Sequence, residues 1–376
     1  MTDSGMNPVV LWVIPVPDFG GVARHVVDMA RAGLPGFKLV VLAPTGKLTE
    51  RLESMGVEVV HAEFGPDFGF KTSFASLDAA ISKLKPALVH SHLAYADVVS
   101  VAAVNARAVR RVLSKSVWVP KLVTTEHGIA GNDTVYHKSS WRSKLMEQVH
   151  RVRLWGTDQP IAVSDSTAEQ MGAKWGARNV ATVYNGVDIE NVRAEVEAAR
   201  TVPLDGAPRL LSLSRLSPEK GIDVLLDAFA LLRADYPDAH LEIAGSGDLA
   251  AELKSQAERL GLGDSVTFSG FVDPIEAMSR SNILVQLSVW ENCSYTLLDA
   301  RAAGLKVVAT AVGGNPEIVK SSSLVNRESP TLIHDVYQAL KHQNEAGPAD
   351  SFSWVSNAQM AQETVYLYTR VLKGGK

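Results

Sequence analysis

Two cations, Arg215 and Lys220, stand close together in residues 214–221, SRLSPEKG. The segment follows a short apolar run that predicts a β-strand, so both side chains would project from the carboxyl end of that strand. Arginine offers a planar fork of donors for phosphate oxygens, and lysine adds a mobile point charge. The pair therefore indicates a pyrophosphate site that needs no metal. The alternative is a helix start at which Lys220 meets only solvent.

Two acids, Glu291 and Asp299, lie eight residues apart around a predicted helix start near Ser294. Eight residues are just over two helical turns, so the first acid would lie in the loop and the second on the helix. The helix N-terminus would face an anion. The alternative is an acid at the helix start that the helix dipole favours, followed by a solvated acid on the helix surface.

Glycine pairs follow two of the predicted strands. Gly20 and Gly21 would let backbone N–H groups approach an anion at a helix start, although a plain strand-to-helix turn has the same pattern. Gly245 and Gly247 fit G-x-G-x-x-A, which is typical of a dinucleotide site. The next predicted strand, residues 266–269, is not closed by the acid that an NAD ribose requires. An NAD site is therefore the competing hypothesis.

Histidines end two predicted strands of the first half. His127 follows residues 121–125 and would lie at the lip of a ligand cleft, although a structural histidine is the alternative. His90 and His92 have the spacing of one strand face, but no third metal ligand lies near them in sequence, so no metal site is predicted. A D-x-D pair for a Mg²⁺-bridged diphosphate and a G-x-S-x-G hydrolase elbow are both absent.

Short β-branched runs alternate with amphipathic segments of helical length along nearly the whole chain. This alternation is typical of βα units and predicts an α/β fold with doubly wound parallel sheets. Six strands are predicted in each half. They are residues 9–15, 38–43, 57–62, 87–90, 121–125 and 160–163, then 209–213, 240–244, 266–269, 283–286, 306–309 and 323–325.

A length of 376 residues predicts two or three domains, and a turn signal at residues 183–188 favours two. We expect an N-terminal Rossmann-like domain over residues 1–185 and a C-terminal one over residues 186–352. Residues 353–376 should form helices that pack back on the first domain. Ligands of such an architecture normally occupy the cleft between its domains.

Composition narrows the class of protein. The single cysteine, Cys293, excludes an internal disulfide framework, and no signal peptide or membrane span is visible. The net charge of −4 argues against generic nucleic-acid binding. We expect a cytoplasmic protein.

The charge is unevenly distributed, because residues 1–180 carry 20 basic and 16 acidic side chains, whereas residues 181–376 carry 17 and 25. Basic residues concentrate in residues 104–155, where apolar side chains accompany them. Such a stretch favours peripheral contact of the protein with the inner face of an anionic membrane. The alternative is a helix face that contacts only water.

The motifs occur in an order that resembles the retaining nucleotide-sugar glycosyltransferases of family 4, which have the GT-B fold. The resemblance covers essentially the whole chain. It rests on Gly20-Gly21, His127, residues 185–188, Arg215 with Lys220, Gly245 with Gly247, residues 269–271, Glu291 through Asp299, and residues 313–317.

The resemblance implies that the second domain holds the donor and the first holds the acceptor. Arg215 and Lys220 would bind the donor diphosphate. Glu291 resembles the first acid of the family's E-x7-E pattern and would contact the donor sugar, while His127 would bind a sugar hydroxyl or orient the acceptor. The other implied contacts are Gly20, Gly21, Tyr295 and Thr296 at the phosphates, and Gly245, Gly247, Phe271, Val272 and Asp299 at the nucleoside.

The implied function is retaining transfer of a sugar from a UDP- or GDP-sugar to a hydroxyl, by a front-face route without cofactor or metal. The acceptor would be a carbohydrate or a lipid-linked glycan of the cell envelope. Asp299 stands where the family has glutamate, and residues 292–294 replace a glycine-rich segment. These departures leave the donor open. The alternatives are a catalytically idle nucleotide-sugar binding protein and an NAD-dependent enzyme built on residues 245–250.

Overall fold

The computed structural model describes residues 7–129, 140–201, 204 and 206–374. The chain divides into two compact units. The first is made of Met1–Gly186 and Val355–Lys376, and the second is Val187–Trp354. Each unit is built around its own parallel sheet, and elements are numbered along the whole chain.

The first unit places helices around a seven-stranded sheet of order β3-β2-β1-β4-β5-β6-β7. Its strands are β1 (Val9–Val13), β2 (Lys38–Ala43), β3 (Glu58–His61), β4 (Leu88–His92), β5 (Lys121–Glu126), β6 (Gln159–Ala162) and β7 (Ala181–Thr182). Its helices are α1 (Gly21–Ala32), α2 (Lys47–Ser54), α3 (Gly69–Leu84), α4 (Ala94–Leu113), α5 (Ser140–Trp155), α6 (Asp165–Trp175) and α14 (Asn357–Leu372).

The second unit has a six-stranded sheet of order β10-β9-β8-β11-β12-β13. Its strands are β8 (Arg209–Leu213), β9 (His240–Ala244), β10 (Val266–Gly270), β11 (Ile283–Gln286), β12 (Lys306–Thr310) and β13 (Leu324–Val325). Its helices are α7 (Ile189–Ala199), α8 (Ile222–Asp235), α9 (Ala250–Arg259), α10 (Pro274–Ser279), α11 (Tyr295–Ala302), α12 (Asn315–Ile318) and α13 (Leu332–Glu345).

The predicted α/β class is confirmed, with one correction to the strand count. The described part of the first unit has a seventh strand, β7, which the sequence prediction missed. It is two residues long and only half-buried, so it lacks the apolar run that marks the other strands.

Each sheet reverses its strand order next to its first strand in sequence, β1 in the first sheet and β8 in the second. β1 lies between β2 and β4, and β8 lies between β9 and β11, with every pairing parallel. Such a reversal is a topological switch point, where the loops after two neighbouring strands leave in opposite directions and open a crevice at the carboxyl edge. The crevice in the second unit therefore lies between the loops that follow β8 and β11.

The C-terminal segment belongs to the first unit as a single helix. Ser356 caps α14 in a capping box with Gln359, which satisfies orphan N–H groups at the helix start. The buried face of α14 joins the apolar core around β1, and its buried members include Met360, Leu367 and Tyr368.

Tyr368 also ties α14 to the sheet through a buried chain of hydrogen bonds. Its hydroxyl accepts from Trp12 Nε1 at 2.9 Å and donates to His90 Nδ1, while His90 Nε2 lies 2.8 Å from Thr125 Oγ1. Burial lowers the pKa of His90 well below its ordinary value and raises that of Tyr368, so both groups are neutral. His90 is therefore a structural histidine.

We expect Tyr368→Phe to lower the free energy of unfolding by about 2 kcal/mol, because it strips buried Trp12 and His90 of a partner. Urea unfolding followed by circular dichroism measures the loss. Tyr366→Phe on the same helix is the matched control, since that side chain is 66% exposed and its change should stay within about 0.5 kcal/mol. Equal losses for the two variants would contradict the described network.

Candidate active site

The switch point of the second unit brings the predicted lysine and glutamate into contact. Lys220 ends a 3-10 turn, Pro218–Lys220, in the loop after β8, and Glu291 lies in the loop after β11. Lys220 Nζ is 2.6 Å from Glu291 Oε1, and both side chains are largely buried. The two residues are 71 positions apart in sequence, and they meet because their strands are neighbours in the sheet.

Glu291 is held by a second donor that sequence reasoning missed. The buried Ser288 donates its hydroxyl to the same oxygen, Oε1, at 2.7 Å. The carbonyl of Ser288 accepts from Thr310 Oγ1 at 2.6 Å, which ties the loop to β12. Both described contacts of the Glu291 carboxylate therefore fall on one oxygen.

Gly313 fixes the backbone of Glu291 from the loop after β12. Its φ is +51°, and a Cβ there would lie 1.7 Å from the carbonyl oxygen of Glu291. No side chain fits at that distance, and positive φ favours glycine. The sequence pattern included Gly313 but did not indicate what it approaches.

Arg215, unlike Lys220, extends into solvent. Its side chain is 74% exposed, and its guanidinium lies 3.2 Å from Glu219 Oε1. Although partial burial disfavours a charged Glu219, the Ser217 hydroxyl and the charge of Arg215 together lower its pKa. An ionised Glu219 therefore anchors one side of the guanidinium at the carboxyl edge.

The helix after Glu291 begins where the sequence predicts it. Ser294 caps α11 by accepting from the backbone N–H of Leu297, so Tyr295 and Thr296 occupy the first turn. Backbone N–H groups of a first turn have no acceptor within their helix. Asp299 lies on this helix, but it is buried, so the interpretation as a solvated surface acid is wrong.

The G-x-G pattern follows β9, which lies beside the switch point and not at it. A Cβ at Gly245 would lie 1.8 Å from the carbonyl of Ser214, and one at Gly247 would lie 2.3 Å from that of Leu216. These glycines therefore let the loop after β9 pack on the loop that carries Arg215. A dinucleotide fingerprint belongs to the first βα turn of its sheet, which counts against the NAD hypothesis.

Two residues after β10 extend this edge of the second unit. Phe271 and Val272 follow the strand directly, and the Phe271 side chain is 90% exposed. An exposed aromatic ring at the carboxyl edge of a parallel sheet is a surface on which a planar ring can stack.

In the first unit, Gly20 and Gly21 begin α1 in the loop after β1. Gly20 is the N-cap with an extended backbone, and a Cβ at either glycine would meet nothing within 4 Å. Packing within the unit therefore does not require glycine at these positions, and the helix start stays open to an approaching ligand.

His127 belongs to a cluster of imidazoles at the same edge of the first sheet. Its Nε2 lies 2.8 Å from Nδ1 of His92, at the end of β4, and its ring lies 4.8 Å from that of His25 in α1. His25 Nδ1 lies 3.1 Å from Asn185 Oδ1. Burial lowers the pKa of His25 to about 4, and it lowers the pKa values of His92 and His127 well below their ordinary value. All three are therefore neutral near pH 7.

Sequence reasoning placed His90 and His92 on one strand face, and their rings do lie 4.3 Å apart. It missed His25, because a helix residue gives no sign in the sequence of which strand it packs on.

A buried arginine holds the segment that carries His127. Arg153, on α5, forms salt bridges with Asp97 on α4 and with Glu126 at the end of β5. Burial raises the pKa values of both carboxyls, and the Arg153 charge opposes that rise. The Glu126 carboxylate also accepts from the backbone N–H of Gly128 at 3.3 Å. The residues on both sides of His127 are therefore held in place by this carboxylate. The sequence prediction counted Arg153 in the basic stretch of residues 104–155, but its guanidinium is buried and paired.

Known proteins match both units. Residues 19–191 match the model described as Glycosyltransferase Family 4, and residues 195–346 match Glycosyl transferases group 1. Over 381 residues, the chain is 25% identical to a phosphatidylinositol N-acetylglucosaminyltransferase subunit of Arabidopsis thaliana, in a match that covers 95% of this chain and 80% of that protein.

Two further matches add a closer local relative and a solved structure. The chain is 31% identical over 203 residues to the GDP-mannose-dependent alpha-(1-6)-phosphatidylinositol monomannoside mannosyltransferase of Mycobacterium tuberculosis (strain CDC 1551 / Oshkosh), covering 49% of this chain and 53% of that one. The structure of Anabaena Alr3699/HepE in complex with UDP and glucose aligns over 97% of each chain, with a TM-score of 0.70 and 21% identity. This likeness supports the predicted fold.

We expect Gly313→Ala to destabilise the protein more than Gly304→Ala does. Both glycines have positive φ, but a Cβ at Gly304 meets nothing within 4 Å. Gly304→Ala should therefore cost only the backbone strain of about 1 kcal/mol. Gly313→Ala must in addition displace the Glu291 carbonyl, and we expect at least about 2 kcal/mol more. Urea unfolding compares the two variants, and equal losses would show that the loop does not press on Glu291.

Proposed function

Because the chain belongs to the glycosyltransferases of family 4 and has the GT-B fold, we propose that it transfers a sugar from a UDP- or GDP-sugar to a hydroxyl acceptor in cell-envelope glycan or glycolipid synthesis. The observation that carries this proposal is the Lys220–Glu291 pair at the switch point of the second unit. It joins a cation suited to a leaving phosphate with an acid suited to a sugar hydroxyl.

The donor diphosphate is assigned to Arg215, Lys220 and the first-turn N–H groups of Tyr295 and Thr296. As the bond from the sugar to the phosphate breaks, negative charge develops on the departing diphosphate. Donors that are already in place stabilise that charge without reorganising, and this lowers the barrier. The assigned donors comprise an exposed guanidinium, a largely buried ammonium and a helix start.

The donor sugar is assigned to Glu291. Ser288 and Lys220 both bind Oε1, which leaves Oε2 for a sugar hydroxyl. The nucleoside is assigned to Gly245, Gly247, Phe271, Val272 and Asp299, with the exposed Phe271 ring offering a surface for the base.

The acceptor side is assigned to the first unit. His127 is neutral, so it can donate or accept one hydrogen bond with a sugar hydroxyl. Gly20 and Gly21 offer an open helix start to the donor phosphates.

The proposed chemistry retains configuration and uses no metal. The acceptor oxygen bonds to the anomeric carbon on the face from which the diphosphate leaves. The proton of the acceptor passes to an oxygen of the departing diphosphate, so no protein base is required. The charge on the diphosphate is then balanced by Arg215 and Lys220 in place of Mg²⁺.

We expect Glu291→Ala and Arg215→Ala each to lower the transfer rate at least about 100-fold, because Arg215 is assigned to the charge that develops on the diphosphate and Glu291 to the donor sugar. A hydrolysis screen across nucleotide sugars identifies the donor, and NMR of the product gives the linkage. Glu328→Gln, at an exposed acid of the same unit, is the control and should keep full activity. The rate should not fall when EDTA is added.

Full activity in both alanine variants would contradict the site. Activity lost in EDTA and restored by Mg²⁺ would contradict metal independence. Donor binding without turnover in the unchanged protein would favour the idle binding protein.

An exposed apolar and basic surface of the first unit supports a second part of the proposal, contact with an anionic membrane. Large apolar side chains at the ends of α4 and α5 face solvent, with exposures of 85% for Val112, 88% for Leu113 and 91% for Trp155. Arg111, Arg151 and Trp155 line one groove of about 1250 Å³. None of the described helices combines the length and hydropathy that a bilayer span requires.

The structure also reduces the number of basic side chains in residues 104–155 that can contact lipid. Arg107 and Arg110 pair with Asp78, Arg153 is buried, and Lys121 pairs with Asp158. The basic side chains left for the lipid are Arg111, Lys115 and Arg151, which are exposed. Lys138, Arg142 and Lys144 lie outside the described side chains.

We expect the triple variant Val112→Ser/Leu113→Ser/Trp155→Ser to lose sedimentation with vesicles that contain phosphatidylglycerol, because apolar area no longer enters the interface. Binding of the unchanged protein should weaken as salt rises, since charge attraction is screened. Leu231→Ser and Lys47→Gln, at exposed positions elsewhere, are the controls and should bind normally. Binding that neither salt nor the triple variant reduces would contradict this surface.

A further inference from the structure

We propose that His25, His92 and His127 form a site for one Zn²⁺ ion, and that the bound ion inhibits the enzyme by occupying the imidazole of His127. The inhibition rests on the proposed function, which assigns His127 to a sugar hydroxyl. The binding of the ion does not. The ion itself has no role in the transfer chemistry, which is proposed to need no metal.

The geometry of the cluster carries the proposal. Each histidine offers one ring nitrogen, and the three nitrogens all lie within 4.8 Å of one another. Zinc binds imidazole nitrogen at about 2.0–2.1 Å, so tetrahedral ligands are separated by about 3.4 Å. Rotation of the side chains must therefore bring the widest pair up to about 1.4 Å closer.

The cluster contains a buried ring nitrogen that a bound cation would satisfy. His92 Nε2 is buried and has no hydrogen-bond partner among the described residues. An unpartnered buried polar atom is costly, and a metal ion bound at this nitrogen would supply the missing partner.

The surroundings of the cluster select the ligand nitrogen of His25 and restrain two of the rings. A proton on His25 Nδ1 donates to Asn185 Oδ1 at 3.1 Å, which gives Nε2 the lone pair that a metal needs. Such an outer hydrogen bond is the usual companion of a metal-bound histidine. The Trp12 ring lies 5.9 Å from His25 and 4.4 Å from His92 and limits how far either ring can turn.

The fourth coordination position has a route to solvent. His25 and His92 are buried, whereas His127 is partly exposed. An ion could therefore enter past His127 and keep one water, as zinc sites with three protein ligands do. Zinc bound in this way would occupy the imidazole to which the proposed function assigns a sugar hydroxyl.

Isothermal titration of the metal-free full chain with ZnCl₂ tests the site. We expect one ion per chain, and we expect His92→Gln to weaken binding at least about 100-fold, because it removes a ligand. His25→Gln is the second variant and should weaken binding similarly. His61→Gln, a partly exposed histidine beside Glu53 in the same unit, is the matched control and should bind zinc like the unchanged protein.

Two further measurements keep the test decisive. The absorption spectrum of the Co²⁺-loaded unchanged protein reports tetrahedral coordination, so the test does not depend on a variant that folds. Addition of ZnCl₂ should inhibit transfer by the unchanged protein and by His61→Gln, with EDTA restoring the rate. Absence of saturable zinc binding, or zinc affinity equal in all three variants, would overturn the site. Zinc binding in a protein that transfers no sugar would leave the site standing and refute the proposed function.

Discussion

Parallel strand pairing brings the carboxyl ends of neighbouring strands to one edge of each sheet, and both units depend on this constraint. The strands reverse their order beside β1 and beside β8, so the loops after β8 and β11 open a crevice between them. Lys220 and Glu291 meet there at 2.6 Å. Residues far apart in sequence therefore form one site, because β8 and β11 are paired in parallel and the loops that follow them begin side by side.

A second constraint is that a charge or polar atom buried away from water needs a partner. The buried Arg153 and Tyr368 side chains of the first unit satisfy it. Arg153 is buried between two carboxylates, and Tyr368 joins Trp12 and His90. These contacts fix the ends of β4 and β5. The histidines at those ends are consequently held in place by packing and hydrogen bonds that do not involve a ligand.

Sequence reasoning named most of the residues that the structure places at the carboxyl edge of the second sheet, because a strand followed by glycine or charge is a local pattern. Arg215, Lys220, Glu291, Gly245 and Gly247 were all identified from such patterns. It did not find Ser288, because a buried serine in a loop resembles any other. It also could not divide the basic stretch into the paired, buried Arg153 and the exposed Arg111, because its charges look alike until their partners are known.

The sequence by itself determined the α/β class, the approximate strands and the order of motifs that identifies the family, because each depends on periodicity or on neighbours along the chain. Tertiary structure alone decided which side chains meet. It paired Lys220 with Glu291, joined His25 to His92 and His127, and buried Asp299. The physical reason is that sheet order and helix packing join positions tens to hundreds of residues apart, and local patterns carry no record of those contacts.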